Sequence, residues 1–397
     1  MRRCAGPPIS RTAAPIMLLV AALLLTGCWG VAPMEKTGLV ALLGVDSASG
    51  DRYRVTVAVI NPLGLPTPTG GAANGAPELL RSAVASSTAE AVRRLSATTY
   101  LNLDFTHIRG VVVSEQVARA GLAAPLEFMA GSPQFLETPW LYVARGESAA
   151  AVLRESQRMM PDAGEVLAGT TAWAQHLFPG YADRLFTFLN QMQTEGDEPA
   201  TAGVSADAAQ GQGPTLAFRL TGTAMFRGDR LVGWLDEPQT LGWLLATGRG
   251  QQQTLVAPAP GGGSFTLQIL ASDHRIRITP GAAGPRADLR VQLRVALVAA
   301  EHAPADFWAN PAALRIVRAS AAGLVTGDIR AALQAAQGVG ADVFSLGEHV
   351  RVQDPADWYP VRDLWNTSAF GRMPVSIQVR VDVSALGKRF CSLLGPC

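Results

Sequence analysis

The clearest signal in this chain is alternation of apolar and polar positions. Leu289, Val291, Leu293, Val295 and Leu297 alternate with Arg290, Gln292 and Arg294, and Val375, Ile377, Val379, Val381 and Val383 alternate with polar partners. A period of two puts every second side chain on one face, so both stretches predict half-buried strands. Tyr53-Arg54-Val55-Thr56-Val57-Ala58-Val59-Ile60 follows the same rule, and turn-forming residues 47–51 separate it from an apolar run at 39–46, which predicts a hairpin. Further strands are predicted at residues 108–113, 140–144, 216–226, 231–235, 264–271 and 274–278. Helical spacing takes over elsewhere. Ser87-Thr88-Ala89-Glu90 has capping-box spacing ahead of Val92 and Leu95, a helix is expected over 115–129, and Ser148 is placed to cap one carrying Val152 and Leu153. Helical sequence runs on through Phe178, Leu185 and Phe188 to Leu189, and another helix opens at Glu237-Pro238-Gln239-Thr240. Asn310-Pro311 precedes Leu314, Val317, Ala321, Leu324 and Val325, and Gly338-Val339-Gly340 reads as the stop of that helix.

Strands and helices mix without regular alternation, so the expected class is α+β: mixed, mostly antiparallel sheets with packed helices, in two or three domains behind a lipid-anchored N-terminus. Residues 62–77, rich in Gly, Pro and Thr, predict a surface loop, and residues 194–214 hold Gly, Ala, Asp, Gln and Pro with little to bury. The second stretch divides the chain into an N-terminal region at 28–193, a linker at 194–214, a C-terminal domain at 215–388 and a tail at 389–397.

The start of the chain has its own pattern. Arg2, Arg3 and Arg11 precede the apolar residues 16–25, and Leu25-Thr26-Gly27-Cys28 follows. About ten apolar residues are half of what a spanning helix needs, so residues 1–27 predict a signal peptide. Leu-x-Gly-Cys closing such a segment resembles the bacterial lipobox, which makes Cys28 the lipidated first residue of the mature chain on the extracytoplasmic face of a membrane. Two or more acyl chains anchor a protein stably.

Charge and candidate chemistry change this picture little. The 33 basic residues less Arg2, Arg3 and Arg11 leave 30 beside 32 acidic ones, a balance that argues against a nucleic-acid partner and against an electrostatic membrane patch. With Cys4 in the signal peptide and Cys28 lipidated, Cys391 and Cys397 remain, close enough in sequence to form a disulfide; no other free Cys or neighbouring His completes a metal site. No P-loop, nucleophile elbow or His-Glu-x-x-His is present, and His107, His176, His274, His302 and His349 are scattered. Asp236-Glu237, and Glu195 with Asp197 and Glu198, read as solvated charge in turns. Trp234, Trp243, Trp308, Trp358 and Trp365 lie in apolar patterns and read as core. No catalytic set, cofactor or metal is expected.

Several stretches together resemble the Ger(x)C family, the lipoprotein C subunits of spore germinant receptors. They are Cys28-Trp29; Gly44-Val45-Asp46 with Tyr53-Arg54-Val55-Thr56-Val57 and Ile60-Asn61-Pro62; and His107-Ile108-Arg109 running into Val113-Ser114-Glu115. Trp140-Leu141-Tyr142-Val143-Ala144-Arg145-Gly146, Ala224-Met225-Phe226 with Leu231-Val232-Gly233-Trp234-Leu235, and Asp342-Val343-Phe344-Ser345-Leu346-Gly347 with Pro355 and Trp358 complete the set. The chain departs from the family pattern after Trp29, in residues 196–214 and in its tail. The resemblance implies a non-catalytic subunit in the spore inner membrane, acting with two membrane-embedded subunits in nutrient-triggered germination. A lipid-anchored solute-binding protein is the alternative, and it requires two α/β lobes around a cleft.

Overall fold

The structure is a computed structural model. It describes residues 36–60, 78–135, 138–159, 163–177, 180–206, 218–250, 252–281, 284–301 and 311–386. The expected signal peptide, Cys28, the loop at 62–77, Cys391 and Cys397 lie outside the described residues.

The predicted hairpin forms: β1 (Thr37–Ala48) pairs antiparallel with β2 (Arg52–Ile60), and β2 with β3 (Glu78–Ala85). α1 (Thr88–Thr98) starts where Ser87 Oγ accepts from Glu90 N, while the Glu90 carboxylate reaches back to Ser86 rather than to Ser87. After β4 (Asn102–Asp104) and β5 (Gly110–Ser114) the helix expected over 115–129 is broken into α2 (Glu115–Ala120) and α3 (Ala123–Gly131). Gly121 makes the break, because its φ of 126° cannot continue a helix. β6 (Trp140–Ala144), α4 (Ala149–Met159), α5 (Ala163–Leu177), the two-residue β7 (Asp183–Arg184) and α6 (Leu185–Gln193) lead to β8 (Ala200–Ala206), and β9 (Phe218–Arg227) and β10 (Arg230–Leu235) follow.

These strands make one sheet in the order β10-β9-β8-β6-β5-β1-β2-β3, with β4 on β1 and β7 on β6. Its middle, β1, β5, β6 and β8, is parallel, and antiparallel hairpins flank it on both sides. Period two sends Leu43, Val45, Val111, Val113, Leu141 and Val143 to a face covered by α1, α2, α3 and α6. Leu42, Val112, Tyr142 and Ala144 go to the face covered by α4 and α5. Burial on both faces explains why these short strands read as continuous apolar runs.

β8 corrects the expected linker. Residues 200–204 of the stretch 194–214 are buried in the sheet, and residues 207–217 lie outside the described residues. The small side chains of residues 200–204 suit the site, since a Cβ on Gly203 would come within 2.6 Å of the Trp234 ring. β9 and β10, expected in a second domain from 215, complete the first sheet instead. The described residues from Gly38 on form one compact unit.

The second sheet has the order β11-β12-β13-β14: β11 (Thr254–Pro258), β12 (Ser264–Thr279), β13 (Arg286–Glu301) and β14 (Val375–Leu386). β12 joins the two strands predicted at 264–271 and 274–278, with a bulge between Ile269 and Ala271. α7 (Glu237–Ala246) and α8 (Ala313–Val339) cover its inner face, α8 presenting Val317, Ala321, Val325, Ile329 and Ala336. α8 is the crossover between the parallel β13 and β14. The helix stop falls as expected at Gly340, with φ 66°. The core beneath it also takes in Ala200, Met225 and Leu235 from the first sheet, with Trp243 fully buried at its centre and donating from Nε1 to the Val343 carbonyl at 2.8 Å. Trp358 and Trp365 are buried as predicted, and Trp308 lies outside the described residues. No helix among the described residues is long and apolar enough to cross a membrane.

Candidate functional site

α6 ends at Gln193 with Thr194 as its C-cap, and the chain turns through Glu195, Gly196, Asp197 and Glu198 before entering β8. Gly196 takes φ 77°, and a Cβ there would lie 2.4 Å from the Gly347 carbonyl carbon. Two backbones therefore touch, and Glu348 N donates to Gly196 O at 2.8 Å. Opposite stands α9 (Leu346–Gln353), whose first turn is tied down by Asp342: its carboxylate accepts from Leu346 N at 3.0 Å and Gly347 N at 2.7 Å. Trp365 Nε1 donates to the same carboxylate at 2.8 Å.

Three more carboxylates meet this point. Asp197 accepts from Ser345 Oγ at 2.7 Å and from Gln191 Nε2 at 3.2 Å. Glu198 accepts from Gly228 N and from Asn366 Nδ2. Glu195 accepts from Trp358 Nε1 at 3.2 Å, and the Trp358 and Trp365 rings lie 5.4 Å apart. The expectation of solvated turn charge is thus overturned for Glu198 and Asp197, because the C-terminal half folds over the turn. Burial, opposed by the N–H donors and reinforced by the neighbouring carboxylates, pushes Glu198 up to about 7 and Asp342 up to about 7. Asp197 is raised by the same burial. An open cavity of about 390 Å³ beside this seam is lined by Glu195, Glu198, Trp358, Arg362 and Asn366. The arrangement can hold or release protons near neutrality, and the bonds from Ser345, Trp358 and Asn366 to the turn carboxylates join the turn to the C-terminal half.

A second cluster gathers the motifs that carried the resemblance. Asp46, at the end of β1, accepts from Ala149 N at 2.7 Å and Ala150 N at 3.0 Å, capping α4 together with Ser148. Glu115, the first residue of α2, pairs with Arg119 at 2.6 Å and accepts from Gly146 N at 3.2 Å and Trp234 Nε1 at 3.3 Å. Arg145 stacks its guanidinium 4.6 Å from the centre of the Trp234 ring. A polar cleft of about 530 Å³ opens here at the carboxyl ends of β1, β5 and β6, with Arg54 and Arg154 on its walls. Asp236, expected to be plain turn charge, caps α7 in a reciprocal box with Gln239.

The other candidates are not brought together. His107 is exposed, and His302 lies outside the described residues. His349 faces His274 across two elements, and burial pushes its pKa down, with His274 adding to the effect. Among the described residues no group of three or more His, Cys, Asp or Glu could hold a metal ion.

Comparison with known proteins gives these clusters a context. Residues 31–206 match the family described as "Spore germination protein N-terminal domain", and residues 221–387 match "Spore germination B3/ GerAC like, C-terminal". The chain belongs to the Ger(x)C spore germination family. Among Ger(x)C relatives it is 20% identical over 394 residues to "Spore germination protein KC" of Bacillus subtilis, covering 94% of this chain and 95% of that protein. It is 25% identical over 263 residues to "Putative spore germination protein YfkR" of the same organism, covering 65% of this chain and 67% of that one. The crystal structure of the GerBC protein shares the fold with a TM-score of 0.52 at 16% identity, covering 86% of this chain and 96% of that one. The Ger(x)C motifs therefore sit where strand ends and helix starts are tied together.

Proposed function

We propose that this protein is a non-catalytic lipoprotein subunit of a spore germinant receptor complex. Cys28 carries the acyl chains, the folded body stands on the extracytoplasmic face, and two membrane-embedded subunits are its partners in nutrient-triggered germination. The observation that carries this reading is the pair of Ger(x)C matches at 31–206 and 221–387, together with end-to-end alignment to a spore germination protein. The clusters described above support it, because their polar groups serve as helix caps and cross-links between elements.

The test is co-purification from spore membranes with the membrane-embedded receptor subunits, paired with deletion of the gene. Recovery with those subunits and loss of germination by the cognate nutrients is the expected result, with germination that bypasses receptors spared. Recovery alone, with nutrient germination intact, would overturn the receptor role and favour the solute-binding alternative, for which the polar cleft at the strand ends is the place to look.

A further inference from the structure

The 30 basic and 32 acidic residues from Cys28 on nearly balance, but they are not evenly spread. The inner face of the second sheet is buried against α7 and α8, which leaves its outer face to the alternate residues of β12, β13 and β14. Those positions carry Arg275 and Arg277, then Arg286, Arg290 and Arg294, then Arg380, all exposed. The register sets Arg275 directly opposite Arg290, Arg277 opposite Asp288, Arg294 opposite Asp382, and Gln292 between Asp273 on β12 and Arg380 on β14. Asp273, Asp288 and Asp382 share the face, and Glu301 lies at its far end. None of the six arginines makes an ion pair with a carboxylate among the described residues. Like charges directly opposite in a sheet are unfavourable, so the Arg275–Arg290 pair is the place where an anion from outside relieves repulsion, and six arginines against Asp273, Asp288, Asp382 and Glu301 leave the face net positive.

We infer that the outer face of the second sheet is a docking surface for an anionic phospholipid bilayer. With about 3.4 Å per residue and about 4.8 Å between strands, the arginines spread over roughly 27 Å by 10 Å. Such a flat array matches a plane of phosphates better than a small ligand. Guanidinium groups bind phosphate in a forked, two-bond geometry. Toward the other end of the same sheet Val256, Leu270 and Val298 are 59%, 45% and 53% exposed, aliphatic side chains suited to the acyl boundary beneath the headgroups. The outward positions carry no aromatic side chain on which bases could stack, which sets the face apart from single-stranded nucleic-acid platforms. This inference does not rest on the receptor role.

The test is arginine footprinting of the full chain with phenylglyoxal, read by mass spectrometry of the peptides. Three conditions are compared: phosphatidylglycerol vesicles, phosphatidylcholine vesicles, and RNA at the same phosphate concentration. Selective protection of Arg275, Arg277, Arg290, Arg294 and Arg380 on phosphatidylglycerol is expected, with the exposed Arg93, Arg154 and Arg318 modified equally in all conditions. Each arginine near an anionic surface is worth about a fivefold change in occupancy. The triple variant Arg275→Gln, Arg290→Gln, Arg294→Gln should therefore lower occupancy about a hundredfold and lose protection at Arg277 and Arg380, with its near-ultraviolet circular dichroism unchanged. Equal protection on both vesicles, none on either, or stronger protection by RNA would overturn the inference.

Discussion

Glu198 offers the sharpest test of the carboxylate seam. Burial between β8 and the C-terminal half lifts its pKa from 4.5 to about 7, against the Gly228 N–H and the Asn366 amide, which favour the charge. The folded state therefore keeps a proton that the unfolded chain has already released. Stability from this group is fully present below about pH 4.5, declines as pH rises toward 7 and is lost above it. A shift of about 2.5 units at 1.36 kcal/mol per unit amounts to about 3 kcal/mol across that window. Glu198→Gln keeps an acceptor for Gly228 or Asn366 and cannot ionise. Urea unfolding of both proteins at a series of pH values is the assay. The variant's stability minus the parent's should grow by about 3 kcal/mol from about pH 4 to about pH 8, because titrating groups away from the seam cancel in the difference, while Asp197 and Asp342, which feel the Glu198 charge, change its size and not its sign. A difference that stays flat with pH, or one that shrinks, would refute the argument that the seam holds a proton near neutrality.

Other substitutions probe other joints. Asp46→Ala removes the carboxylate that accepts from Ala149 N and Ala150 N, so stability should fall by about 1–2 kcal/mol in denaturant titration. Gly242→Ala puts a methyl 2.4 Å from the Asp328 carbonyl carbon, where α7 and α8 meet backbone to backbone, and should cost about 2–3 kcal/mol with a matching drop in thermal midpoint. Cys28→Ala should abolish incorporation of a fatty-acid probe and leave the precursor uncleaved, and equal labelling of both proteins would count against the lipobox reading.

Much of the fold was legible because local pattern and tertiary role agree. β13 and β14 alternate with period two since one face is buried and the other is open, and Ser87, Ser148 and Gly340 act where their chemistry predicts. β8 was not legible. Ala-Thr-Ala-Gly-Val-Ser-Ala has no strong strand preference of its own, and its place between β6 and β9 is set by neighbours distant in sequence. Asp197 and Glu198 misled for the same reason, since a turn of acids looks solvated until residues 342–366 close over it. The family motifs showed which residues matter, while the corner that Asp46, Glu115, Arg145 and Trp234 share is visible only in three dimensions.

The place where β10 ends has a consequence for making hybrids of such proteins. The family matches divide the chain near residue 206, yet the first sheet goes on to take β9 and β10 from beyond that point. A graft joined there would leave β8 with a foreign or missing neighbour along its whole length. A graft joined at Asp236, after the sheet is complete and before α7 begins, leaves every strand ladder in one parent. Even then, the turn at 195–198 and the stretch from Asp342 to Asn366 would have to come from the same parent, because their side chains are cut to fit each other.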